Sequence, residues 1–222
     1  MHHREDISKN DLASMIEHTL LQGELDDSHI IAHVQEAVAL KVYGVCIPLA
    51  WVPLAKKTAQ QTPLKIITVI DFPLGQKSAK EKAQEALVAK QFGADEIDMV
   101  LDYQALVKKN YHKALQDLIE VVQVADPVPV KVIVETSALN RVQLAIAIAL
   151  VALSDAAFIK TSTGFHKGGA RVEDVALMRA LLPEHIQIKA SGGIKDFLSA
   201  QALLRAGATR LGCSKSRIIL NG

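Results

Sequence analysis

The sequence predicts an α/β fold, a single-domain (β/α)8 barrel over residues 1–222, on three observations. Short apolar strand segments alternate with longer segments of helical periodicity from end to end. A helix-to-strand junction recurs, as in Leu40-Lys41-Val42-Tyr43-Gly44-Val45, Gln91-Phe92-Gly93-Ala94-Asp95-Glu96 and Leu204-Arg205-Ala206-Gly207-Ala208-Thr209, each with a glycine suited to the helix C-cap. Polar residues collect where the strand segments end: Thr19, Cys46, Asp71, Asp98, Glu135, Lys160, Lys189 and Ser214. That polarity is expected of a barrel whose chemistry sits at strand C-termini, and eight repeated units favour a closed barrel over an open doubly wound sheet.

In chain order the first strand fits Glu17 to Leu20, before a helix over Asp26 to Leu40. Strands follow at about Val45 to Ile47 and Ile66 to Ile70, then a helix over Ser78 to Phe92. Glu96 to Val100, Val130 to Val134 and Ala157 to Lys160 read as strands four to six, with helices over His112 to Val124 and Val142 to Leu153 between them. The junction before Ala157, Leu153-Ser154-Asp155-Ala156, is a copy without glycine. A helix over Val172 to Leu182, a strand Ile186 to Lys189, a helix Ala200 to Ala206 and a strand Thr209 to Gly212 complete the set.

Composition narrows the function classes. Half the residues are apolar, and no Pro/Gly/Ser-rich stretch or charge block marks a linker. A formal charge of +1 lacks the basic footprint of a nucleic-acid binder, so small molecules are the expected partners. The longest apolar run, Leu144 to Leu153, is far short of the roughly 20 residues that span a bilayer, so no membrane association is expected. Cys46 and Cys213 are too few for a disulfide framework, and Met1 to Asp6 show no apolar signal region. The expectation is a cytoplasmic protein.

Two strands end in lysine. Ala156-Ala157-Phe158-Ile159-Lys160 breaks into Thr161-Ser162-Thr163-Gly164-Phe165, and Ile186-Gln187-Ile188-Lys189 breaks into Ala190-Ser191-Gly192-Gly193. Either lysine alone could simply pair with a carboxylate. On neighbouring strands, each ammonium disfavours the charge on the other and apolar walls add a desolvation cost, which makes a nucleophilic amine near neutral pH.

Asp98 shares a strand face with Glu96 and Val100 by period-2 alternation. Two readings stand: an ion pair with a lysine such as Lys131, which shares its face with Ile133 and Glu135, or a proton-transfer group beside Lys160. Both hold if Asp98 and several lysines form one network. Cys46 reads as a small packed side chain at a strand end facing the site, with reaction toward aldehydes as the alternative. His29 and His33 are spaced i,i+4 but Ile30 stands where a zinc hydrolase needs Glu, so they read as a solvated helix face. No nucleotide-binding glycine loop is present.

Ile16-Glu17-His18-Thr19-Leu20-Leu21, Thr68 to Gly75, Gly93 to Val100, Lys131 to Thr136, Phe158 to Phe165 and Lys189 to Ile194 together resemble the deoxyribose-phosphate aldolases, in order and over nearly the whole chain. The resemblance implies a metal- and cofactor-independent class I aldolase on a (β/α)8 barrel, cleaving 2-deoxy-D-ribose 5-phosphate reversibly to D-glyceraldehyde 3-phosphate and acetaldehyde. It implies that Lys160 forms the Schiff base, that Asp98 moves protons and that Lys189 depresses the pKa of Lys160, with Lys131, Glu135 and Cys46 in support. Substrate and phosphate contacts are expected at Thr19, Leu20, Thr163, Gly164, Gly192, Gly193, Gly212 and Ser214, and at Lys215 from its charge rather than from the resemblance. A different Schiff-base aldolase or a transaldolase-like enzyme is the alternative, and a non-catalytic sugar-phosphate barrel is the third. A homo-oligomer is compatible with the sequence, in which no patch marks an interface.

The chain departs from that pattern at Glu17, where Asp is usual, at Gln22-Gly23, at Pro48, at Asp71 and in Gly212-Cys213-Ser214-Lys215-Ser216. Phosphate binding has its own case, since barrels often seat phosphate between the loops after strands seven and eight, on glycine N–H groups and a helix start. Gly192-Gly193 and Gly212 to Ser214 fall in those loops. Turn glycines also serve merely to relieve strain at positive φ. Lys215 reads as a point charge for the phosphate, with projection into solvent from the first turn of the final helix as the alternative.

Overall fold

In the computed structural model, which describes residues 7–221, α1 (Lys9–Ala13) precedes β1 (Ile16–Thr19), α2 (Asp27–Ala39), β2 (Gly44–Pro48), α3 (Val52–Thr58) and β3 (Lys65–Ile70). There follow α4 (Ala79–Gln91), β4 (Glu96–Val100), α5 (Tyr103–Val107), α6 (Tyr111–Ala125), β5 (Val130–Ile133), α7 (Arg141–Ala152), β6 (Phe158–Lys160), α8 (Val172–Leu181), β7 (Gln187–Ser191), α9 (Phe197–Arg205), β8 (Arg210–Cys213) and α10 (Ser216–Asn221). The strands pair in parallel in sequence order, and β1 closes on β8, giving a single-domain (β/α)8 barrel. The start, Met1 to Asp6, lies outside the described residues.

Alternation sorts each strand into an outer and an inner row. Ile16, Val45, Ile47, Ile97, Met99, Val130, Val132, Ile159, Ile188, Ala190 and Leu211 face the helices in one continuous apolar core. The complementary positions, Glu17, Cys46, Asp98, Lys131, Lys160, Lys189 and Arg210, are buried inside the barrel. An apolar shell therefore encloses a charged centre.

Most helices start on side-chain caps. Asp26, Ser78, Asn140 and Asp196 each accept from the N3 backbone, and the N3 side chain returns to the cap N–H. Gly93 and Gly207 end their helices at positive φ as expected, but Gly44 does not. It is the first residue of β2, where a Cβ would lie 2.5 Å from the Lys65 carbonyl oxygen, and Lys41 takes the left-handed position instead. Asp155 does the same in the junction that lacks glycine.

The helices α1, α3 and α5 were not anticipated; each spans no more than seven residues, too short for periodicity to stand out. Lys82 is fully buried between α4 and α6, donating to the Gly75 and Val100 carbonyls and to Asp117. Asp71 lies 3.4 Å from Lys82 and accepts from the Lys77 N–H, so its carboxylate serves this helix-side network rather than the strand-end site. No helix of the described residues is long and apolar enough to cross a membrane.

Candidate active site

Parallel registration sets the charged centre. Asp98 lies opposite Lys131 and Lys160 opposite Lys189 on adjacent strands, with all four side chains pointing inward. Lys160 Nζ and Lys189 Nζ donate to the same oxygen, Asp98 Oδ2, at 2.7 and 2.6 Å, while Lys131 Nζ donates to Oδ1 at 2.9 Å. Both sequence readings of Asp98 are thus realised at once, in one network.

The network reaches deeper than expected. Glu17 accepts from Lys189, Glu96 lies 2.6 Å from Lys131, and Arg210 Nη1 bonds Glu17 Oε1 at 3.1 Å and Glu96 Oε2 at 3.2 Å. The Arg210 guanidinium lies 3.4 Å from the Tyr43 ring centroid, and the Tyr43 hydroxyl donates to Glu96. As site residues, Glu17 enters the sequence reading only as a departure, and Arg210 and Tyr43 do not enter it. For the first two the usable signal was alternation: Glu17 is two residues from Thr19 and Arg210 two from Gly212.

Electrostatics fixes several of these charges. Burial opposes ionisation of Asp98, but Lys131, Lys160 and Lys189 outweigh it and hold its pKa well below the usual range. Burial likewise opposes charge on Lys189, and Asp98 and Glu17 override it, so its pKa is raised and it stays an ammonium. Cys46, with Sγ 4.0 Å from Asp98 Oδ2, is pushed up to about 11, and Cys213 to about 12, chiefly by burial. Both thiols are neutral and poor nucleophiles near pH 7. Ligand atoms of Glu17, Cys46 and Asp98 lie within 4.8 Å of one another, the spacing of a cation site, but both carboxylates already receive ammonium donors.

Above this layer opens a cavity of about 430 Å³, lined by Thr19, Leu20, Lys160, Thr163, Gly164, Gly192, Gly193, Gly212 and Ser214 together with His18, His33 and Phe165. Lys160 reaches the cavity, whereas Lys189 and Lys131 are sealed beneath it. Gly192 and Gly193 have positive φ, and Ala170 N–H donates to the Gly192 carbonyl, which folds the β6–α8 connection over this turn. Gly212 meets a different demand, because a Cβ there would lie 2.9 Å from Ser191 Cβ and 3.2 Å from Lys189 Cε. Its bareness leaves room for the Lys189 stem.

Two sequence expectations, for Glu135 and His33, are corrected here, and Lys215 is found in the exposed position that the sequence left as its alternative. Glu135 does not join the lysine network; it sits at φ 53° and accepts from the Thr163 N–H and hydroxyl, holding the loop after β6. Lys215 is exposed, precedes α10 and is absent from the cavity wall. His33 is buried rather than solvated. It stacks on His18 at 4.0 Å, its Nε2 lies 3.1 Å from the His18 carbonyl oxygen, and burial with the His18 ring lowers its pKa to about 4.

An enclosed network of lysines and carboxylates in a barrel core is a poor stability device, since apolar packing of equal volume is often as good or better. Its placement under a cavity points to function. Residues 11–220 match the DeoC/LacD family of aldolases. The chain belongs to that family. It is 42% identical over 220 residues to a deoxyribose-phosphate aldolase of Carboxydothermus hydrogenoformans, covering 97% of this chain and 96% of that one. A deoxyribose-phosphate aldolase of Halalkalibacterium halodurans is 41% identical, with 95% of each covered. Among solved structures, the tetrameric deoxyribose phosphate aldolase of Aeropyrum pernix superimposes with a TM-score of 0.89 at 28% identity, covering 96% of this chain and 91% of that one. The aldolase QR15 gives 0.91 at 34%, with 95% of each covered.

Proposed function

We propose that this family member is a deoxyribose-phosphate aldolase, a lyase that splits 2-deoxy-D-ribose 5-phosphate to D-glyceraldehyde 3-phosphate and acetaldehyde through an imine on Lys160. The observation that carries the assignment of the lysine is accessibility. Of the three amines around Asp98, Lys160 alone lines the cavity, and among the described residues its carboxylate partner is Asp98. Lys189 is held as an ammonium 2.6 Å from the same carboxylate and acts as a fixed charge.

The chemistry follows from those positions. The neutral Lys160 amine adds to the aldehyde carbon of the open-chain sugar, and the carbinolamine takes up a proton and loses water to give a protonated imine. Removal of the proton from the C3 hydroxyl lets the C2–C3 bond break, with its electron pair delocalised into the imine as an enamine. Glyceraldehyde 3-phosphate leaves, the enamine carbon regains a proton, and water releases acetaldehyde and free Lys160. Asp98, ionised at rest, is the acceptor of the proton and its later donor, while Lys189 stays charged beside it.

The phosphate is seated on the Gly192 and Gly193 backbone with Ser214, beside Thr163 and Gly164, where bare backbone suits an anion. Thr19 and Leu20 contact the aldehyde end. The tetrameric Aeropyrum pernix relative makes a homo-oligomer the expected assembly, and the cytoplasm is the expected compartment. The test is borohydride reduction with acetaldehyde and mass mapping: a two-carbon adduct on Lys160 with lost activity is expected, and an adduct on Lys189 would reverse the assignment. Cleavage rates across a panel of sugar phosphates separate this substrate from that of a transaldolase-like enzyme.

A further inference from the structure

Beneath Asp98 lies a layer that no reacting atom can touch. Arg210 starts β8 at the closed end of the barrel, and its Nη1 sits between Glu17 Oε1 and Glu96 Oε2 at 3.1 and 3.2 Å. Its guanidinium is packed on Tyr43 and lies 5.4 Å from the Phe158 ring. It is absent from the cavity wall. Such a cation neither binds substrate nor transfers a proton.

We infer that Arg210 is a positioning residue that acts through Glu17 and Glu96 to keep the Lys160 amine free of its proton; the inference rests on Lys160 being the imine-forming residue. The buried centre contains the carboxylates Glu17, Glu96 and Asp98 and the cations Lys131, Lys160, Lys189 and Arg210, joined by ion pairs. With every group ionised, one positive charge is in surplus. In a centre largely withdrawn from water that surplus is costly, and releasing one proton removes it. Arg210 cannot release it, because a guanidinium does not deprotonate in proteins.

The proton therefore comes from a lysine, and the contacts decide which. Lys131 lies within 3.4 Å of Glu17, Glu96 and Asp98 alike. Lys189 pairs with Glu17 and Asp98. Among the described residues, Lys160 has Asp98 alone, shared with the other two amines. By occupying Glu17 and Glu96 from below, Arg210 leaves Lys160 as the unmatched amine.

Among the described residues, the other titratable groups near the centre are Cys46 from β2, Tyr43 just before it and Cys213 from β8, none charged near neutral pH, and on the cavity wall His18 and His33, whose pKa values burial lowers, and Glu36, which pairs with Arg217. Without Arg210 the three lysines would match the three carboxylates, and Lys160 would hold its proton.

The test compares the pH dependence of kcat/KM for deoxyribose 5-phosphate cleavage in the intact enzyme and its variants, since this quantity follows the free enzyme. Substrate phosphate ionisation is common to all and cancels. Arg210→Met should move the acid limb up by about 1 pH unit or more, and Glu96→Gln should move it down by a similar interval. Arg210→Lys and the charge-balanced Arg210→Met/Glu96→Gln should return it near its original place. If Arg210→Met alone does not fold, the double variant must still sit above Glu96→Gln by that interval. Rate losses without opposed shifts, or shifts in one direction for both single variants, would overturn the inference. Borohydride trapping with acetaldehyde at each variant's optimum keeps the two ideas apart. An adduct away from Lys160 sinks the mechanistic reading, whereas an adduct on Lys160 without opposed shifts sinks only the role of Arg210.

Discussion

Lys160 and Lys189 donate to a single oxygen of Asp98, at 2.7 and 2.6 Å, from paired positions on β6 and β7. The sequence suggests two lysines that repel, with Asp98 in a network with several lysines as one reading. The structure places a carboxylate between them, so Lys189 acts on Lys160 both directly, as a like charge, and indirectly, by competing for Asp98.

Lys189→Leu removes the competitor and the like charge together. The acid limb of the activity profile should then move to higher pH, with residual activity recovered in alkaline buffer. A pH series of kcat/KM checks it. Activity lost in equal proportion at every pH would show instead that Lys189 acts by transferring protons or holding substrate.

Gly212→Ala tests the room made for the Lys189 stem. A Cβ 3.2 Å from Lys189 Cε and 2.9 Å from Ser191 Cβ is overpacked, and should lower stability by about 1 to 3 kcal/mol. The displaced ammonium should lower kcat by about ten- to a hundredfold. Chemical denaturation and steady-state kinetics on one preparation measure both. Unchanged kcat with raised KM would place Gly212 with the phosphate instead.

Lys215→Ala addresses the altered loop after β8. Exposed and off the cavity wall, Lys215 can act on a bound phosphate only as a screened charge. Its loss should weaken use of deoxyribose 5-phosphate by less than about 1 kcal/mol, fading as salt rises, with no effect on unphosphorylated deoxyribose. A salt-independent loss of several kcal/mol would mean that Lys215 bonds the phosphate directly.

His33 links stability to pH. Burial and the His18 ring lower its folded-state pKa to about 4, against about 6.5 when unfolded. A lowered folded pKa gives stability that is complete above the unfolded pKa and is lost as pH falls toward the folded one. His33 alone should then cost on the order of 2 kcal/mol between about pH 8 and about pH 5. Urea unfolding at the two pH values measures this, and His33→Gln should flatten the slope; an unchanged slope would place the titration elsewhere.

The barrel was legible because its signals are local. Strand and helix periods, cap residues and polar strand ends lie within a few residues of one another, and the expected strands meet the observed ones within two residues at either end, with Glu96 to Val100 matching at both. Lys160, Asp98 and Lys189 stood out for the same reason, each at or near the end of an apolar strand. What the chain could not show was the partner of each inward side chain. Lys131 and Glu135 look alike as neighbours of Asp98 in sequence, yet Lys131 points into the barrel from β5, whereas Glu135, past the strand end and in a left-handed turn, holds Thr163. Arg210 and Glu17 are 193 positions apart, and only closure of β1 on β8 brings them to 3.1 Å. The sequence by itself determined which residues face inward, because alternation is a property of the strand. Barrel closure decided which of them share a carboxylate, because charges pair through space and register, not along the chain.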